Sequence, residues 1–242
     1  MFVASNTDRG QVREENQDKV QTRFLGDNIA VAVVCDGMGG AASGAVASQL
    51  AVETVVNRIA ENFRPDMKPN WIRKMMLTAV HAANTVVYEK SREDIDKNGM
   101  GTTCVAALVV NKTVYVVSVG DSRAYMLTKD GITQITTDHT YVEMLRQAGE
   151  ISEEEAKNHH MKNVITKAVG VEPDVEVDYF ELEEWDNFSV VLCSDGLSNY
   201  CTEQFIYDTV FGKNLDQAII DLINYANDSG GRDNITAAII AN

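Results

Sequence analysis

The sequence is short of basic charge: 21 Lys and Arg stand against 36 Asp and Glu in 242 residues, a formal net charge of −15. Affinity for a phosphate backbone needs clustered Lys and Arg, so nucleic acid is not expected as a partner, and anionic membrane surfaces are disfavoured on the same ground. Long apolar runs are missing as well. The longest, Ile29 to Cys35 and Val105 to Val110, fall far below the ~18 residues that a bilayer span requires. The opening Met-Phe-Val-Ala-Ser-Asn-Thr-Asp-Arg has no basic stretch followed by an apolar one, so no secretory leader and no membrane insertion are expected, and the location expected is cytoplasmic. With only 3 Pro and no Gly-rich linker, repeat or low-complexity stretch, residues 1–242 read as a single domain. The four cysteines, Cys35, Cys104, Cys193 and Cys201, lack Cys-x-x-Cys spacing. They read as reduced core thiols rather than zinc ligands.

What is present is a set of short apolar segments bounded by Gly, Asn and Asp. Met1–Ser5, Ile29–Cys35, Thr102–Val110, Thr113–Val119, Arg123–Thr128, Val177–Leu182, Ser189–Cys193 and Ile235–Ala241 are expected as strands. Asn111-Lys112 joins two β-branched runs and Lys129-Asp130-Gly131 closes another, which predicts an antiparallel meander. Helical spacing marks Leu215, Ala218, Ile219, Leu222, Ile223 and Ala226, and two earlier stripes, Ala47 to Ile59 and Ile72 to Val87. Helices whose apolar faces need a sheet, set among hairpins, predict an α+β fold of antiparallel sheets covered by helices. Asp138 to Gly170 differs: it is polar, holds three of the four histidines, and carries Ser152 with Glu155 as a capping box. It reads as a helical insertion of about residues 138–170.

Four aspartates stand at strand ends beside Gly or Asn: Asp36, Asp121, Asp195 and Asp233. Each alone is ordinary turn chemistry. Brought together, several carboxylates repel unless protonated or neutralised by cations. A set of Asp side chains and carbonyls, with no thiol or tight imidazole group, selects hard ions such as Mg²⁺ or Mn²⁺.

The ordered segments Thr7-Asp-Arg-Gly-Gln-Val-Arg-Glu-Glu-Asn-Gln-Asp18, Asp36-Gly-Met-Gly-Gly40, Gly101-Thr-Thr103, Gly120-Asp-Ser-Arg123, Thr137-Asp-His139, Ser194-Asp-Gly196 and Gly231-Arg-Asp-Asn234 together resemble the metal-dependent PPM family of serine/threonine phosphatases, the 2C type, in its bacterial form. The resemblance spans nearly the whole chain. It implies a layered α-β-β-α sandwich, two central antiparallel sheets flanked by helices, with a binuclear metal centre at one end and the 138–170 insertion as a flap beside it.

Carried over motif by motif, Asp36 resembles the carboxylate that bridges two Mn²⁺ or Mg²⁺ ions and the Gly37 carbonyl a ligand of one. Asp195 and Asp233 resemble ligands of the other, and Asp121 a ligand of a third, weaker ion shared with Asp195. Asp18 resembles the acid that orients metal-held water. Arg13 occupies the family's phosphate-gripping position, and a guanidinium offers phosphate a planar fork; the alternative is a surface ion pair with Glu14 or Glu15. The activity implied is hydrolysis of phosphothreonine and phosphoserine on proteins, opposing a bacterial serine/threonine kinase, by a monomer.

Two divalent ions about 4 Å apart activate water and clamp an in-line phosphoryl displacement. No Cys-x₅-Arg sequence surrounds any cysteine, so a covalent thiophosphate route has no support.

The chain departs from the pattern at the general acid. Eukaryotic members carry His two residues after the bridging Asp, where this chain has Met38, and many bacterial relatives have His or Asn just after Gly40, where this chain has Ala41-Ala42-Ser43. Metal-held water or His159 remain as proton donors, and Met38 also reads as an apolar plug. His139 is expected to satisfy a backbone partner. Two other readings stand beside the phosphatase: a binding module that kept the fold and lost turnover, and a hydrolase of small phosphoesters. The nucleotide version of the latter lacks a Gly-x₄-Gly-Lys loop.

Overall fold

The computed structural model describes residues 1–93, 99–182 and 186–242, with the side chains of 41 and 42 also outside the description. The departure at Ala41-Ala42 therefore lies outside the described side chains. In chain order the elements are β1 (Phe2–Asp8), β2 (Asp18–Gly26), β3 (Ile29–Met38), α1 (Ala41–Asn62), α2 (Pro69–Ser91), β4 (Gly101–Thr102), β5 (Cys104–Val110), β6 (Thr113–Val119), β7 (Arg123–Thr128), β8 (Gly131–Gln134), α3 (Tyr141–Gln147), α4 (Glu153–Asn158), β9 (Asp178–Leu182), β10 (Ser189–Cys193), α5 (Asp195–Ser198), α6 (Glu203–Val210), α7 (Leu215–Asp228) and β11 (Ile235–Ala241). One sheet runs β1-β11-β10-β7-β8; the other runs β2-β3-β5-β6-β9 with β4 paired to β3. Every described ladder is antiparallel.

The pleat of β3 explains the layering. Ile29, Val31, Val33 and Cys35 join the core under α1 and α2, while Ala30, Ala32 and Val34 join the core between the sheets. A strand buried on both faces reads as a continuous apolar run, which is why Ile29–Cys35 shows no alternation. A third core lies between the other sheet and α5 to α7, where Ala218, Ile219, Leu222, Ile223 and Ala226 line one face of α7. Two antiparallel sheets between helical layers are the expected α-β-β-α sandwich, and all four thiols are buried and free.

Two strands lie outside the sequence expectation. β2 alternates Lys19, Gln21 and Arg23 with Val20, Thr22 and Phe24 and sits at a sheet edge, half-buried along most of its length. β8 is a four-residue edge strand closing the hairpin at Gly131. The expected strand Thr102–Val110 is divided at Thr103, whose N–H leaves the ladder to reach the Asp36 carbonyl at 2.8 Å. Between β8 and β9 the chain forms α3 and α4, the latter opened by the Ser152/Glu155 capping box. The base of this segment is tied by Tyr141 N donating to Val164 O and Thr166 N donating to His139 O.

Candidate metal centre

The topology brings one end of six strands together. Asp18 opens β2 and stands directly opposite Asp36 on β3. Asp121 lies in the β6–β7 turn, Asp195 opens α5 straight after β10, and Asp233 precedes β11. Asp18 is fully buried, whereas Asp36, Asp121, Asp195 and Asp233 are half-buried and reach solvent on one side. The aspartates named from the sequence thus form one cluster at one end of the sandwich. Close backbone approach makes this geometry: a Cβ on Gly196 would lie 1.9 Å from the Asn234 carbonyl oxygen, and one on Gly37 would lie 2.1 Å from that of Gly44. Only glycine allows these loops to meet.

Such a cluster is electrostatically expensive. Burial, followed by repulsion from Asp18, Asp195, Asp121 and Asp233, raises the Asp36 carboxyl well above the ordinary carboxylate range. Burial pushes Asp121 up to about 7, with Asp195 and Asp138 adding to it, and pushes Asp18 up to about 6 against hydrogen bonds from Ser194 and Thr236. Asp195 is raised by burial and then by Asp233. Two carboxylate oxygens, Asp18 Oδ1 and Asp195 Oδ1, are buried without any hydrogen-bond partner.

The Arg13 guanidinium answers part of this charge. Arg13 donates to Asp233 Oδ2 at 2.7 Å. The pairing with Glu14 or Glu15 weighed from the sequence is not formed, because the loop before β2 is folded over β11. Asn234 holds it there: its Nδ2 donates to the carbonyls of Arg9 and Glu15, and its Oδ1 accepts from Gln17 N.

A profile of the family described as Protein phosphatase 2C matches residues 7–238 of the chain. The chain belongs to the protein phosphatase 2C family. This 2C-type phosphatase is 37% identical over 244 residues to the serine/threonine phosphatase stp of Listeria welshimeri, covering 99% of the chain and 95% of the relative. Among solved structures it resembles the S. agalactiae serine/threonine phosphatase, with TM-score 0.91, 34% identity and 98% of each chain covered. It also resembles the catalytic domain of the phosphatase PstP in complex with 2 manganese ions, with TM-score 0.85, 32% identity, and 98% and 96% of the two chains covered.

The residues of the 2C-type phosphatase fit hard divalent cations. The donor set is oxygen only, the carboxyls are held in a like-charged group that cations would neutralise, and two buried oxygens have no other partner. Among the described residues no three His, Cys, Asp or Glu side chains stand ready as a closed coordination sphere; Asp233 is turned to Arg13 and Asp195 Oδ2 to Asn199.

Other motif residues of the phosphatase are structural. Arg123 grips Asp138 through Nε and Nη2, the latter at 2.6 Å, so the Gly-Asp-Ser-Arg and Thr-Asp-His motifs bond to each other. His139 Nδ1 accepts from Gly120 N at 3.1 Å, the backbone partner expected, and its Nε2 lies 3.1 Å from Asp178. His159 is engaged within its own segment, accepting from Met161 N and stacking on His160. Sequence reasoning missed Asn234 as the clamp of the Arg13 loop, although the Arg-Asp-Asn motif contained it. It also missed the Thr103–Ser122 hydroxyl pair at 2.7 Å, which connects the Asp36 strand to the Asp121 turn.

Proposed function

We infer that the carboxylate cluster is the catalytic centre of a metal-dependent serine/threonine protein phosphatase that releases phosphate from phosphothreonine and phosphoserine on proteins. The observation that carries this is the convergence of five aspartates, two with unpartnered buried oxygens, beside one guanidinium. Asp36 would bridge two ions, Mn²⁺ or Mg²⁺, with the Gly37 carbonyl on one and Asp195 and Asp233 on the other. When bound, such ions make water nucleophilic near neutral pH and neutralise charge on the transferring phosphoryl group. Arg13 holds the substrate phosphate at the rim. Asp18, deepest in the cluster, accepts a hydrogen bond from the attacking water and sets its line of approach. The bonding of His159 within its own segment favours water as the proton donor to the departing Ser or Thr oxygen.

Residues 1–242 act in this reading as one domain, with about 138–170 as the flap that contacts the phosphoprotein. No helix among the described residues is long and apolar enough to cross a membrane. A cytoplasmic monomer opposing a bacterial serine/threonine kinase follows from the family resemblance. Phosphate release from a phosphothreonine peptide, run in parallel with Mn²⁺, Mg²⁺, Ca²⁺ and EDTA and against a nucleotide substrate, tests the reading. Manganese-dependent peptide turnover abolished by EDTA is expected. No release from folded protein under any metal, or preference for the nucleotide, would overturn it.

Asp121 would hold a third, weaker ion with Asp195, and Asp195 repels it as a near neighbour. Asp121→Ala is expected to remove one Mn²⁺ from the binding stoichiometry measured by titration calorimetry and leave the tight binding intact. Loss of all binding would contradict that division.

A further inference from the structure

Among the described helices whose N-cap residue is Ser, Thr or Asn, the side chain caps the helix with one exception. Thr140, Ser152, Thr202 and Asn214 each cap their helix with the side-chain oxygen, accepting a backbone N–H of the first turn. Ser194 stands at the N-cap of α5 and makes no side-chain cap bond. A Ser at this position ordinarily stabilises the first turn by that bond, so its absence asks where the hydroxyl went. It points the other way, into the cluster: Ser194 Oγ donates to Asp18 Oδ2 at 2.6 Å.

The direction of that bond is fixed by chemistry. Ser194 Oγ accepts from Thr236 N at 3.1 Å, and a hydroxyl has a single hydrogen, so the hydrogen is free for the carboxylate. The residue itself is held by Ser194 N donating to Thr236 O, and Asp18, Ser194 and Thr236 are all fully buried. With Oδ2 taken, the remaining Asp18 oxygen, Oδ1, is buried and without a partner. A carboxylate free to turn would offer either oxygen; this one presents a single oxygen to the site.

We propose that Ser194 is a positioning residue of the phosphatase: its hydroxyl, withdrawn from the helix cap, locks Asp18 so that Oδ1 alone meets the attacking water. This deepens the reading in which Asp18 orients that water and rests on it. Outer hydrogen-bond partners of a metal site are commonly worth about 10–100-fold in metal affinity or activity, and a partner acting only through Asp18, which is not itself a ligand in this reading, has its effect in activity and only while Asp18 is present.

The test is a double-mutant cycle in kcat on a phosphothreonine peptide with saturating Mn²⁺, with the Mn²⁺ affinity of each protein measured by calorimetry. Ser194→Ala is expected to lower kcat by about 10–100-fold, with KM and Mn²⁺ affinity within about twofold of the parent. Ser194→Cys, which keeps a weak donor of similar shape, is expected to lie between the two. In an Asp18→Ala background, Ser194→Ala is expected to cost nothing further. Equal losses in both backgrounds, or a loss carried by Mn²⁺ affinity, would mean that Ser194 merely supports Asp195 and would overturn the proposal. So would full kcat in folded Ser194→Ala alongside an inactive Asp18→Ala. Full kcat in Asp18→Ala itself would instead remove the reading of Asp18 on which the proposal rests.

Discussion

Asp36→Asn is expected to lower kcat by on the order of 10³-fold or more, and to raise the Tm of protein kept in EDTA by about 2–4 °C. The two effects have one cause. Burial first, and then repulsion from Asp18, Asp195, Asp121 and Asp233, disfavours the charged form of Asp36. Asn keeps the shape and removes the charge, so the cation-free fold loses repulsion while the site loses the carboxylate that would bridge two ions. Mn²⁺ at 100 times Kd adds about 2.7 kcal/mol to a protein that binds it only when folded. The order of stability should therefore invert: the variant is the more stable in EDTA, the parent in Mn²⁺. Thermal melts of both proteins in both conditions read this directly, and an equal Mn²⁺-induced shift with retained turnover would sink the assignment of Asp36.

Burial, with repulsion added to it, fixes the pH dependence without metal. Asp18, pushed up to about 6, and Asp121, pushed up to about 7, hold protons in the folded chain that they release in the unfolded one. The folded state therefore binds more protons between about pH 4 and pH 7, and stability falls as pH rises through that window. In EDTA the parent should melt at a lower temperature at pH 8 than at pH 5, and Mn²⁺ should flatten the slope.

How much of this could be read from the sequence depends on what each residue answers to. Asp36, Asp195 and Asp233 interrupt or abut apolar runs, and a charge at the end of a strand buried on both faces is visible without a structure. The layering was legible for the same reason, since helical stripes and apolar runs state what they need to cover. β2 was not: an edge strand half-buried along its length has only one face to pattern, and its alternation of Lys19, Gln21 and Arg23 with Val20, Thr22 and Phe24 is bounded by no turn signal on its Asp18 side. Ser194 appeared in the sequence only as the first residue of the Ser194-Asp-Gly196 motif, with no role of its own, because a hydroxyl's choice between capping α5 and bonding Asp18, 176 residues away, is a tertiary decision. Arg13 likewise has two carboxylates beside it in sequence and takes neither, since Asn234 carries its loop across to Asp233.

That pairing gives the second large effect. Arg13→Ala is expected to raise KM for a phosphothreonine peptide by about 10–100-fold with a smaller change in kcat, because hydrogen bonds to charged groups contribute about 1.5–3 kcal/mol and about 1.4 kcal/mol is tenfold. The guanidinium also lies 2.7 Å from Asp233 Oδ2, an oxygen that an ion would need. Side chains 55% and 34% exposed make a weak pair, worth at most about 1 kcal/mol. Removing Arg13 should therefore tighten Mn²⁺ binding in the absence of substrate, by no more than about fivefold. The same substitution thus weakens substrate and strengthens metal, a combination that general damage to the site does not produce. Arg13→Lys separates the two causes: it restores a competing cation but not the planar fork, so Mn²⁺ affinity should return toward the parent while KM stays raised. Steady-state kinetics and calorimetry on the three proteins decide it. An unchanged KM in Arg13→Ala removes the phosphate role, and unchanged Mn²⁺ affinity means that the Asp233 pair yields to the ion without competing for it.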